Sequence, residues 1–331
     1  MKVAAAVAAV ILTAVPVRAQ APDGGQPPQS NVFRSSAALV ALNVTVQDNG
    51  FKYVTGLRPD DFAVYEDGVK QDVRFFESTS VPVDLIVLID SSSSMGDKLD
   101  LVHEAASGFL RTLRPGDRGA VVTFADSVNV TQPLTSDRAA LEKAVRGTVA
   151  HGSTSLNNAV YIALKQFGQA ARQDTDVRRQ AIVVLSDGED TSSLVSFDDV
   201  LALARKTGVN IYTVGVQSRY AALKQDQPGG HRYFSESDYS MKTLARETGA
   251  QAFFPAPAEL KSVYGAIASE LANQYSIGYV PANARLDGRF RRVVVQIVTK
   301  PELRSRTRLG YTADTAPTAR TIAGAGGTEP R

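Results

Sequence analysis

Three short segments of the chain concentrate oxygen-bearing side chains. Asp90-Ser91-Ser92-Ser93-Ser94-Met95 follows the apolar run Leu85–Ile89, Gly152-Ser153-Thr154-Ser155-Leu156 precedes a helical stretch, and Ser186-Asp187-Gly188-Glu189-Asp190 follows the apolar run Ala181–Leu185. Carboxylate and hydroxyl oxygens are hard donors, suited to a cation such as Mg²⁺, which demands near-octahedral geometry and usually keeps some water. Taken singly, each segment reads equally as a helix-capping turn or an ordinary Asp-Gly turn.

The elements around these segments decide whether they can meet. Leu85–Ile89 is a continuous apolar run, as a parallel strand buried on both faces requires. Leu99, Val102, Ala106, Phe109 and Leu113 then recur at helical spacing. The pattern continues with a strand at Ala120–Phe124, a short edge strand at Val128–Val130, a helix capped by Ser136 or Asp137, and a helix over Leu156–Phe167. Strand Ala181–Leu185, helix Phe197–Lys206, strand Val209–Val214, helix Tyr239–Thr248, strand Ala250–Phe254 and helix Ala258–Asn273 complete it. Repeated strand–helix alternation predicts an α/β fold with a doubly wound, mostly parallel sheet. In such sheets ligands bind outside the carboxyl ends of the strands, where all three segments fall.

The flanks differ in texture. Val40, Leu42, Val44 and Val46 alternate as in a half-buried strand, and Phe62–Tyr65, the turn Glu66-Asp67-Gly68 and Val73–Phe76 suggest a hairpin. Tyr275–Val280, Arg292–Val298 and Arg304–Tyr311 read as three more strands after the α/β region. Either flank alone is too small to be stable, so both are expected to pair into one small all-β domain that the α/β domain interrupts.

The order Asp-x-Ser-x-Ser, Gly-x-Thr, Asp-Gly, each at the end of its element, resembles the metal-ion-dependent adhesion site of von Willebrand factor type A domains. The resemblance covers about residues 81–275 and implies a cation site made of Asp90, Ser92, Ser94, Thr154 and Asp187. It implies Mg²⁺, with Mn²⁺ or Ca²⁺ as alternatives, and a protein ligand that presents an exposed Asp or Glu. In that family the Ser and Thr hydroxyls contact the metal while the aspartates act partly through water. Val54-Thr55-Gly56-Leu57, Asp61-Phe62, Glu66-Asp67-Gly68 and Gln71, with Tyr275–Tyr279 and Arg308-Leu309-Gly310-Tyr311, are similar to the flanks of exported bacterial VWFA-related proteins.

The expected organisation is a signal peptide over 1–19, a flexible linker over 20–36, β-regions over 37–79 and 275–313, the A domain over 80–274 and a disordered tail over 314–331. Met1-Lys2, the apolar run Val3–Val17 and Val17-Arg18-Ala19 predict export with cleavage after Ala19, to the periplasm or beyond, without a transmembrane span in the mature chain. The 331 residues contain no cysteine, which excludes thiolate chemistry and disulfide staples, and the net charge of +2 carries no basic run for nucleic acid. The long loop Gln217–Glu236 follows a strand on the cation-bearing edge, and its Arg219, Tyr220, His231, Arg232 and Tyr233 are candidates for ligand choice. Catalysis is not expected. No Gly-x-Ser-x-Gly elbow or phosphate-binding glycine loop is present. His103 is expected to face outward, and His151 is nearest the Ser-rich loop. The remaining rivals are a metal-dependent hydrolase and a structural module whose occupied site touches no partner.

Overall fold

A computed structural model describes residues 39–78, 81–173, 178–187, 190–216 and 235–313. The expected signal peptide, linker and tail lie outside these residues, as do Gly188, Glu189 and the loop candidates Arg219, Tyr220, His231, Arg232 and Tyr233.

The alternating residues Val40, Leu42, Val44 and Val46 are all buried along β1 (Val40–Gln47). A turn with Asp67 and Gly68 at φ 48° and 84° joins β2 (Phe62–Glu66) to β3 (Val69–Gln71), and β4 (Val73–Ser78) follows. The hairpin expected between Phe62–Tyr65 and Val73–Phe76 is therefore corrected, because β3 pairs with β2 and β4 leaves for another sheet. Phe76 does meet Phe62, but across the sandwich interior at 5.4 Å between ring centroids rather than as an in-plane neighbour.

The α/β part runs β5 (Val83–Asp90), α1 (Leu99–Leu110), β6 (Arg118–Phe124), β7 (Val128–Thr135), α2 (Arg138–Arg146), α3 (Leu156–Gln173) and β8 (Arg179–Ser186). It continues with α4 (Phe197–Thr207), β9 (Asn210–Gly215), α5 (Glu236–Glu247), β10 (Ala252–Phe253) and α6 (Leu260–Ala272). The strands form one six-stranded sheet in the order β10-β9-β8-β5-β6-β7, parallel except for the edge strand β7. Side chains of β5 alternate between two cores. Leu85, Val87 and Ile89 pack with α1, α2 and α6, whereas Ile86 and Leu88 pack with α3 and α4. Every residue of β5 and β8 is buried. Each fully buried aliphatic side chain there stabilises the fold by about 1.5–3 kcal/mol. Local signals set the helix starts: the Asp137 carboxylate accepts from Ala139 and Ala140 N–H, and Ser196 caps α4, which ends at left-handed Gly208.

The chain then returns to β structure through β11 (Tyr275–Tyr279), β12 (Phe290–Ile297), β13 (Arg304–Arg306) and β14 (Gly310–Thr312). Two four-stranded sheets result, β13-β1-β11-β4 and β14-β12-β2-β3, so each flank supplies strands to both. Leu42, Val44, Phe62, Val64, Tyr275, Ile277, Val293 and Val295 fill the space between them. The segment Arg304–Tyr311 is broken rather than one strand: just before β14, Leu309 N donates to Glu247 O at the end of α5, 3.3 Å away.

Two buried polar side chains weld the sandwich to the α/β part. Arg179 donates to the carbonyls of Val81, ahead of β5, of Leu271, in the last turn of α6, and of Gln274, just after it, so one guanidinium clasps both chain crossings. Glu270 is 1% exposed and accepts from Tyr212 (2.7 Å), Gln251 (3.1 Å) and Arg306 (2.6 Å), joining α6 to β9 and β13. Removing one member of such a buried pair leaves an uncompensated charge. Glu270→Ala is therefore expected to lower unfolding free energy by about 3–5 kcal/mol in a denaturant titration, while Asp72→Ala, at an exposed ion pair, should leave it unchanged.

Candidate metal centre

The adjacency of β5 and β8 fixes where the first and third oxygen-bearing loops emerge. Their register aligns Ile89 with Leu185, so Asp90 and Ser186 end neighbouring strands. This is also the switch point of the sheet, since α1 leaves β5 over one face and α3 enters β8 over the other.

Asp90 has no solvent exposure. Its Oδ1 accepts from Ser92 N at 2.8 Å and its Oδ2 from Ser186 Oγ at 2.5 Å. Burial pushes the carboxyl above its ordinary pKa, hydrogen bonds from Ser186 and from the hydroxyl and amide of Ser92 pull the other way, and the charge of Asp187 adds to the rise. The following turn is shaped by backbone bonds, Met95 N to Ser92 O at 3.0 Å and Lys98 N to Met95 O at 2.9 Å, with the Met95 side chain fully buried as its anchor. That turn brings Ser92 Oγ and Ser94 Oγ to 3.1 Å; Ser92 is buried and Ser94 exposed.

The second loop is stitched to the first. His151 N donates to Ser91 O at 2.7 Å and Ser93 N to Gly152 O at 3.0 Å. Gly152 adopts φ 67°, and a β-carbon there would displace the Asp126 carboxylate, so the position strongly favours glycine. Asp126, on the turn between β6 and β7, accepts from Ser153 N at 2.9 Å and from the Ser153 hydroxyl, which hold its carboxyl below the usual range. Thr154 is 4% exposed and binds the third loop through its backbone, its carbonyl accepting from Thr191 N (2.9 Å) and Ser192 N (3.0 Å).

In the third loop Asp187 Oδ2 lies 3.1 Å from Lys98 Nζ. Asp190 is exposed yet bonded: it accepts from Asn157 N at 2.8 Å, at the start of α3, and from Ser193 N at 3.0 Å. Asn158 Oδ1 accepts from Leu194 and Val195 N–H, both at 3.1 Å. The first turn of α3 thus fastens the loop.

Of the five residues expected at the site, Asp90, Ser92 and Ser94 are joined by hydrogen bonds, Asp187 is close enough to act on Asp90, and Thr154 stands in the loop stitched to both neighbours. Sequence reading missed Lys98, Ser186 and Asp126. Ser186 reaches Asp90 only because the strands pair in this register, and Lys98 carries no sign in the sequence beyond its place ahead of a helix. Among the described residues no three carboxylate or imidazole side chains gather to hold an ion; the candidate centre is built from hydroxyls as well as carboxylates. The outward orientation expected for His103 is corrected: it is half-buried, its Nε2 is shielded without a partner among the described residues, and burial lowers its pKa. His151 is exposed, and its tie to the Ser-rich loop runs through its backbone.

Comparison with known proteins gives relatives over part of the chain. An uncharacterised protein of Borreliella burgdorferi is 29% identical over 150 residues, 42% of this chain and 42% of that protein. Matrilin-4 of Mus musculus is 30% identical over 147 residues, 41% of this chain and 23% of that protein. The chain therefore spans less than half the length of these relatives. Among solved structures, a von Willebrand factor type A protein from Catenulispora acidiphila covers 72% of this chain and 52% of its own at 18% identity and a TM-score of 0.46. The family model for the von Willebrand factor type A domain matches residues 84–254, from the second residue of β5 to just past β10. With a match over half its length that takes in all three oxygen-bearing loops, the chain belongs to the von Willebrand factor type A domain family.

Proposed function

We propose that the protein binds one divalent cation, Mg²⁺ by preference and Mn²⁺ or Ca²⁺ as alternatives, and through it an acidic side chain of a protein partner. The observation that carries this reading is the Ser92 and Ser94 hydroxyl pair, 3.1 Å apart in the turn that begins at buried Asp90. Adjacent ligands of an octahedral ion at 2.0–2.1 Å stand about 2.9 Å apart, so these oxygens suit one shell. The donor set also fits a hard cation, being oxygen throughout. Ser92, Ser94 and Thr154 would hold the ion by their hydroxyls, with Asp90 and Asp187 supplying negative charge. When bound, the ion offers a partner's carboxylate a positive centre in a partly dry environment.

The chain's own residues prepare that event. Asp90 is oriented by Ser92 and Ser186, and the loops are cross-linked by backbone bonds, so little ordering remains to oppose binding. Exposed Ser94 marks the open side. Leu194 and Val149 are 95% and 70% exposed on the two neighbouring loops and offer apolar contact area of the kind that protein partners cover. Among the described residues no helix is long and apolar enough to cross a membrane. The export proposed for the chain rests on residues 1–19. No step of this reading makes or breaks a covalent bond, so the protein acts as a binding protein rather than an enzyme.

The direct test is a pull-down from envelope and medium fractions with Mg²⁺ or chelator. Capture is expected with Mg²⁺ and to be lost with chelator, with Asp90→Ala and with Ser92→Ala; equal capture by those variants contradicts the reading. Acidity provides a second test. Because folding favours the protonated form of Asp90, ionising it costs stability as pH rises, and a bound cation offsets that cost. Protons should accordingly compete with Mg²⁺ at Asp90, and the Mg²⁺-induced rise in melting temperature is expected to shrink as the solution is acidified.

A further inference from the structure

Lys98 places a positive charge inside the candidate centre. Its side chain is 6% exposed, and its Nζ lies 3.1 Å from Asp187 Oδ2 on a side chain 17% exposed. A buried ammonium is tolerated where it is paired, and the turn that orients Ser92 and Ser94 delivers it to Asp187. The same backbone bond that closes this turn, Lys98 N to Met95 O at 2.9 Å, fixes where the lysine stem begins.

We infer that Lys98 sets the charge balance of the cation site, weakening its hold on the divalent ion and keeping the loaded site net positive so that it draws a carboxylate. The inference deepens the metal-site reading above and rests on it. Asp90 and Asp187 together carry −2, and Lys98 brings the sum to −1. A divalent ion then leaves +1, whereas without the lysine it would leave zero. Coulomb energies at a few ångströms in a partly dry site exceed thermal energy severalfold, so one charge moves both equilibria, in opposite directions. A lysine that merely packs would move neither in that pattern.

The test uses the full chain, its Lys98→Met variant, which keeps the aliphatic stem, and its Lys98→Arg variant, which keeps the charge. Calorimetric titration with MgCl₂ and MnCl₂ reads metal affinity, and titration of the metal-loaded protein with acetate reads carboxylate affinity. Lys98→Met is expected to bind metal on the order of tenfold more tightly and acetate on the order of tenfold more weakly, with Lys98→Arg close to the parent in both. Equal metal affinity in parent and Lys98→Met, or metal and acetate affinities that move together, overturns the inference while leaving the metal site standing. Metal binding by Lys98→Met alone supports the inference in its extreme form, with the ammonium excluding the ion, and overturns the proposed function. Binding by none of the three overturns both.

Discussion

A carboxylate stripped of water at the end of an inner strand is the constraint around which this protein is arranged. Asp90 has no exposure, and burial alone makes its charged form costly. Two short hydrogen bonds, from the Ser92 amide and the Ser186 hydroxyl, offset part of that cost. Each bond dictates something larger. The first folds the chain after β5 into the turn that pairs Ser92 with Ser94. The second requires β8 to lie next to β5 in a register that ends both strands together, which is the topological switch of the sheet.

The remainder of the fold holds those ends still. Backbone bonds link the first loop to the second and the second to the third, and α3 secures the third through Asn157 N and the Asn158 side chain. Below the sheet, Arg179 and Glu270 lock both chain crossings into the sandwich. The sandwich is thereby fastened to the α/β part through buried hydrogen bonds. Its own interior repeats the same solution to buried charge: Glu66, 3% exposed, accepts from Tyr279, Tyr311 and Arg291.

Periodicity made the α/β order legible, because a strand buried on both faces cannot be written without an apolar run such as Leu85–Ile89. Asp137 announced a helix start for an equally local reason. Pairing was harder to read. Val73–Phe76 has a strand composition whichever sheet it joins, and only the long-range contact of Phe76 with Phe62 and Tyr275 decides. Segment Arg304–Tyr311 likewise looks continuous until tertiary bonds break it at Leu309. At the candidate centre, residues carried by the three motifs were visible, whereas Ser186 and Lys98 depend on strand register and on the direction of one buried side chain. His103 was misread because helical spacing gives a face but not the depth to which a neighbouring loop covers it.

The central claim is that oxygens of Asp90, Ser92, Ser94, Thr154 and Asp187 share one hard ion. Anomalous diffraction from crystals of the protein grown with MnCl₂ tests it most directly. The account predicts one manganese peak enclosed by the loops that follow β5, precede α3 and follow β8, bonded to the Ser92 and Ser94 hydroxyls. Manganese found only elsewhere, with Lys98 still paired to Asp187 and those hydroxyls bonded to each other, would contradict it.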